Sequence, residues 1–142
     1  MIIEKLNNLL ANYQIHYQNL RALHWNIKGP SFFELHAKFE ELYLQSALDV
    51  DEIAERILAL ESTPLHTFQD YLDHSTVEVV KNVTDAEGSV KSVVADYSKL
   101  LELEREILEI AAKDDDEGTV TLVSDFIRIH EKTLWMFKAY LR

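Results

Sequence analysis

Residues 31–61 read SFFELHAKFEELYLQSALDVDEIAERILALE, a stretch with neither glycine nor proline. Phe32, Leu35, Phe39, Leu42, Tyr43, Ser46, Val50, Ile53, Ile57 and Leu60 recur in steps of three and four along most of it. That recurrence keeps them on one helical face and predicts a single long helix ending near Glu61. Ser31 and Glu34 have the spacing of a capping box, in which each side chain satisfies a free amide of the other's residue. Ser62-Thr63-Pro64 ends the pattern, because the residue before a proline is pushed out of helical geometry.

The same rhythm extends outward. Upstream, Ile3, Leu6, Leu10, Tyr13, Tyr17 and Leu20 form a first helical stripe, and the next residue on that line is the polar His24. Gly29-Pro30 stops this helix near Lys28. Downstream, the pattern weakens from Leu65 to Val83, where Phe68, Tyr71 and Leu72 suggest one short helix inside a long connection. Thr84-Asp85-Ala86-Glu87 is a second capping-box pattern, opening a helix with Val90, Val94, Tyr97, Leu101, Leu108 and Ala111. Asp114-Asp115-Asp116-Glu117-Gly118 reads as a turn whose carboxylates favour the positive end of the following helix. Val123, Phe126, Ile127, Leu134, Phe137 and Leu141 line that last helix.

Four long helices and one short one, with no strand pattern, predict an all-α fold of a single domain over 1–142, without an N- or C-terminal extension. Only three Gly and two Pro among 142 residues argue against a turn-rich β architecture. The long connection lets the second and third long helices run parallel, as in a ferritin-like four-helix bundle with a short extra helix in that connection. No cysteine is present, which excludes disulfides and thiolate chemistry. No apolar run is long enough for a membrane span, and the start lacks the pattern of a signal peptide, so a cytoplasmic setting is expected. The balance of 14 Lys+Arg against 25 Asp+Glu gives a net charge of −11, which favours cations over phosphate backbones as partners.

The chemistry gathers on the first two helices. His36 and Glu40 lie one turn apart, as do Asp51 and Glu55, but the two pairs are separated by roughly 16–29 Å along the helix. One chain therefore cannot close all four around one ion. The position numbers of His36 and Glu55, and of Glu40 and Asp51, each sum to 91. Two copies of the helix packed antiparallel about a two-fold near residues 45 and 46 would bring these groups together, with the small Ser46 and Ala47 at the closest approach. His24 could add a second imidazole. Imidazole and carboxylate without sulfur suit Fe(II), Zn(II) or Mn(II). Among the other histidines, His66 and His74 lie in the connection and His16 and His130 on helices, where surface or hydrogen-bonded roles are expected.

His24-Trp25-Asn26, a second histidine twelve residues on at His36, and Asp51-Glu52-Ile53-Ala54-Glu55-Arg56 together resemble the Dps family, the miniferritins. Glu131-Lys132-Thr133-Leu134-Trp135-Met136-Phe137 is similar to that family's last helix. The resemblance implies a hollow homododecamer built from two-fold dimers. It also implies a two-iron ferroxidase centre at each two-fold, with His24 and His36 from one subunit and Asp51 and Glu55 from its partner. The family oxidises Fe(II), usually with hydrogen peroxide in preference to dioxygen, stores the ferric mineral and so protects against oxidative damage. Trp25 beside the irons would be an electron donor. A structural or nucleoid-associated assembly without the chemistry, and a manganese-handling or catalase-like relative, are the alternatives.

Two positions depart from the family pattern. Glu40 stands where the family usually has Asp, and Thr121 where it usually has an Asp lining the iron entry pore. The run Asp114, Asp115, Asp116 and Glu117 could supply the attraction for iron entry instead. Twelve copies would carry 12 × −11 = −132 formal charges, so DNA binding is not expected.

Overall fold

A computed structural model describes residues 1–142 as five helices: α1 (Ile2–Asn26), α2 (Phe32–Ala59), α3 (Phe68–His74), α4 (Ala86–Lys113) and α5 (Glu117–Tyr140). The all-helical four-helix bundle with one short helix in its long connection is as expected. Packing pairs α1 with α2 and α4 with α5, and α1 also meets α3 and α4. The backbone amide of Lys28, just past α1, donates to Thr84 O at 2.8 Å. This bond puts the start of α4 beside the start of α2, so those two helices run parallel and the connection must travel the length of the bundle. No helix is long and apolar enough to cross a membrane.

The core is read correctly in period but shifted in phase. On α4, Val93, Leu100 and Ile107 are fully buried, whereas Val94 and Leu108 are only half-buried. On α1, Leu9, Tyr13, His16, Leu20 and Leu23 form the innermost line, and Tyr17 lies at its margin. Leu, Ile and Val dominate the fully buried set, each stabilising by roughly 1.5–3 kcal/mol through removal from water. Ser46 is buried toward its own bundle, so of the two small residues only Ala47 faces outward.

Helix entry also differs from expectation. Ser31 is the N-cap of α2, but its side chain makes no capping bond; its Oγ accepts from Tyr140 Oη at 3.1 Å, tying α2 to the end of α5. On α4 the cap is Asp85, which accepts from the Gly88 amide at 2.7 Å. Asp116 caps α5, accepting from the amide and hydroxyl of Thr119. The turn before α5 is made by Asp115 at φ 55°, and Gly118 belongs to the helix. Gly29, at φ 112°, occupies backbone space that only glycine enters freely.

The connection is held to α1 by three asparagines. Asn7 Oδ1 accepts from the Leu65 amide at 2.8 Å, and Asn12 Oδ1 accepts from the amides of Thr76 and Val77 at 2.9 and 2.8 Å. Asn19 grips the same strap at both of its polar atoms, donating to Glu78 O at 2.8 Å and accepting from the Val80 amide at 2.9 Å. Backbone groups of an irregular segment are thereby satisfied by side-chain amides.

Candidate metal centre

The antiparallel pairing of α1 and α2 brings His24, near the end of one helix, against His36, near the start of the next. His24 Nδ1 lies 2.7 Å from His36 O, and His36 Nδ1 lies 2.7 Å from His24 O. A carbonyl only accepts, so both Nδ1 atoms carry the proton and each Nε2 is left with its lone pair. The two rings stack at 3.8 Å with an interplanar angle of 12°; Phe32 stacks on the other face of His36 at 4.8 Å, and Tyr43 meets His24 edge-on at 5.3 Å. His24 is buried and His36 half-buried, so the pair is fixed in orientation. Two locked imidazoles with free Nε2 atoms fit divalent transition-metal ligation.

The carboxylates do not join them within one chain. Glu40, Asp51 and Glu55 are all exposed on α2, and no three His, Asp or Glu side chains of the chain stand close enough to hold a metal. Asp51 is roughly 22 Å from His36 along the helix axis, at 1.5 Å per residue. Around the carboxylates the same face is apolar: Phe33, Leu44, Leu48 and Leu58 are 78, 57, 62 and 57% exposed. The position numbers of Phe33 and Leu58, of Leu44 and Ala47, and of Tyr43 and Leu48 also sum to 91. An exposed apolar face of this kind marks an interaction surface, and this one is symmetric about its own midpoint.

Trp25 is 56% exposed, with the Arg21 guanidinium 5.0 Å over its ring. Thr121 is exposed on α5, and Asp114, Asp115 and Glu117 are exposed around its start. Asp116 differs from these neighbours. Arg56, next to Glu55 on α2, donates from Nη2 to Asp116 Oδ1 at 2.7 Å and from Nε to Thr119 Oγ1 at 3.0 Å. Burial alone would raise the Asp116 carboxyl, but the Thr119 hydrogen bonds and the Arg56 charge hold it below the usual range. Asp116 is thus already neutralised by a cation. A Cβ on Gly118 would meet Arg56 Nη1 at 2.6 Å, so glycine leaves room for the guanidinium.

A second polar group, away from this face, gives His16 and His130 the hydrogen-bonded roles expected of them, on buried carboxylates that were not anticipated. His16 Nδ1 pairs with Asp96 Oδ2 at 2.8 Å, His130 Nδ1 with Glu104 Oε1 at 2.6 Å, and Tyr13 Oη lies 2.9 Å from His130 Nε2. Every one of these residues is buried, and so is Asp49. Burial raises the Asp49 carboxyl, against a hydrogen bond from Gln45 and the nearby imidazoles of His130 and His16. Burial likewise raises Glu104, opposed by its His130 partner. The signal lay in the helical spacing: extended strictly, each inner line passes through His16, Asp49, Glu104 or His130.

Comparison with known proteins agrees with this architecture. The ferritin-like domain family matches residues 3–142. DNA protection during starvation protein 2 of Bacillus anthracis is 41% identical over 140 residues, covering 99% of this chain and 96% of that protein. An uncharacterised protein of Haemophilus influenzae is 46% identical over 138 residues, 97% of this chain and 86% of the other. Among solved structures, a Dps protein of Vibrio cholerae O1, described as a member of a broad superfamily of ferritin-like diiron-carboxylate proteins, superposes with a TM-score of 0.98 at 48% identity, covering 99% of this chain and 89% of that one.

Proposed function

We propose, for a chain that belongs to the ferritin-like family as one of its Dps members, that it oxidises Fe(II) with hydrogen peroxide and stores the ferric product in a homo-oligomeric cage, most simply of twelve subunits. The observation that supports this reading best is the pairing of His24 with His36, whose Nε2 atoms are both free to bind a metal. The symmetric exposed face of α2 supplies the rest. Two chains packed there antiparallel would bring Asp51 and Glu55 of each to the imidazoles of the other, with Glu40 nearby. Buried apolar contact between Phe33 and Leu58, and between Leu44 and Ala47, would hold the dimer together.

In such a centre, His24 and His36 bind Fe(II) through Nε2, their orientation fixed by the opposing carbonyls. The carboxylates add anionic oxygen, which suits the harder ferric product. Peroxide takes one electron from each of two Fe(II) ions and two protons from solvent, leaving two waters and no hydroxyl radical. Trp25, adjacent to His24 in sequence, is a surface indole whose loss of an electron is opposed by the Arg21 guanidinium 5.0 Å over its ring. The exposed Asp114, Asp115 and Glu117 would draw cations toward the start of α5, whereas Asp116 is committed to Arg56.

The test is direct. Apo-protein mixed with Fe(II) and peroxide should develop ferric absorbance and load mineral, and its solution mass should be that of twelve copies. A protein that assembles but oxidises iron no faster than buffer would leave only a structural role. The net charge of −11 per chain opposes approach to phosphates, so no gel retardation of DNA is expected at low salt without divalent cations.

A further inference from the structure

We propose that Tyr13 is a proton-coupled electron donor to the centre at His24 and His36, with His130 as its proton acceptor. The inference rests on reading that centre as a site of Fe(II) oxidation by peroxide. Peroxide needs two electrons to become water. A centre holding a single Fe(II) can give one, and the second must come from the protein if hydroxyl radical is not to escape.

Tyr13 is suited to give it. A buried phenol cannot leave its electron behind as a cation, because an unpaired charge in an apolar interior is costly. Oxidation there requires a base that takes the proton at the same time. Tyr13 Oη lies 2.9 Å from His130 Nε2, and His130 Nδ1 lies 2.6 Å from Glu104 Oε1. The Glu104 carboxylate accepts from Nδ1–H, so Nε2 presents its lone pair to the phenol. This is the arrangement by which a carboxylate orients a histidine base in hydrolytic triads, with tyrosine in the place of the nucleophile. Moving the phenol proton to Nε2 creates an imidazolium already paired with a carboxylate, so no isolated charge is buried.

None of the other five tyrosines has a base. The hydroxyls of Tyr71 and Tyr140 donate to Leu65 O and Ser31 Oγ, which are neutral, and those of Tyr17, Tyr43 and Tyr97 have no hydrogen-bonded base. Trp25 is solvent-exposed beneath a guanidinium, a neighbour that disfavours a radical cation. Rings also line the latter part of the way from Tyr13 to the centre, from Tyr17 onward. Tyr17 is one turn along α1, its ring 6.1 Å from Tyr43, and the Tyr43 ring is 5.3 Å from His24.

The step balances as follows. Peroxide, one Fe(II), the Tyr13 phenol hydrogen-bonded to neutral His130, and two protons from solvent give two waters, one Fe(III), a neutral Tyr13 phenoxyl and protonated His130. The O–O bond breaks with one electron from iron and one from the phenol, whose proton stays on Nε2.

Assembled protein loaded anaerobically with one Fe(II) per chain, mixed with excess peroxide and freeze-quenched, should show a tyrosyl signal by electron paramagnetic resonance. Protein grown on ring-deuterated tyrosine should show a narrowed signal. The signal should vanish in Tyr13→Phe, which keeps the ring, and in His130→Gln, which keeps the phenol but removes the base. Tyr17→Phe should retain it, and hydroxyl radical caught by a spin trap should rise in Tyr13→Phe. Ferric absorbance without a tyrosyl signal, or a signal that survives Tyr13→Phe, would overturn the donor assignment alone. No ferric absorbance in the unaltered protein would overturn the reading of the centre itself, and the donor with it.

Discussion

His24 and His36 hold each other: each ring donates from Nδ1 to the other residue's carbonyl oxygen at 2.7 Å, and the rings stack at 3.8 Å. Both acceptors are main-chain oxygens, so removing one imidazole leaves the other's hydrogen bond in place and takes away only its stacking partner. His36→Gly should therefore cost one ligand's share of metal affinity while His24 keeps the hydrogen bond that orients it for binding. Isothermal titration with Fe(II) under anaerobic conditions measures this, and combination with Asp51→Ala should abolish the fast oxidation phase with the solution mass unchanged.

If the centre is shared across a two-fold, two dead variants should rescue each other. A dimer of one His36→Gly chain and one Asp51→Ala chain has one centre carrying both lesions and one carrying neither. Mixed refolding should recover fast oxidation that neither variant shows alone. Stopped-flow rates of the mixture equal to those of the separate variants would place all the ligands in one chain.

Asp49 binds its proton more tightly in the folded chain than in the unfolded one, because burial raises its carboxyl. A raised acid favours folding at low pH, and that contribution is lost as pH climbs from the ordinary carboxylate value through the raised one. Asp49→Asn should remove this loss, so denaturation midpoints of the variant should gain on the parent as pH rises above the ordinary carboxylate value of about 4. Asp116 runs the other way: its depressed carboxyl stabilises above the ordinary value, and acid removes that stabilisation.

Asp116→Ala should destabilise by about 1–2 kcal/mol, through loss of the α5 cap and the stranding of Arg56. Gly118→Ala should displace the guanidinium and weaken the same joint. Chemical denaturation of both variants checks this, and midpoints within error of the parent would show that the Arg56 contact contributes little.

Much of the fold was legible because amphipathic spacing is repetitive: four long stripes and one weak stretch gave element number, order and the parallel second and third helices. Phase was less legible. Steps of three and four allow two neighbouring lines, and Tyr17 or Leu108 is as apolar as the residue that is actually buried. Choosing apolar members hid His16 and Glu104, polar residues that the inner line tolerates only because each finds a partner on another helix. Caps were misjudged for a related reason: Ser31 had the right spacing, but Tyr140, distant in sequence, takes its hydroxyl. The pair His24 and His36 could be named as candidates, but their mutual carbonyl bonds depend on the hairpin angle of α1 and α2, which no spacing rule supplies.

The three asparagines of α1 recognise the strap between α2 and α4 mainly by its peptide groups, the hydroxyls of Ser75 and Thr76 on Asn12 Oδ1 being the side-chain exceptions. A docking code written mostly in main-chain atoms is indifferent to what the other residues of the strap display. Phe68 and Leu72, both outward-facing on α3, are therefore free to drift in sequence without unseating the segment, and the surface there can be retuned while the bundle beneath it is left alone.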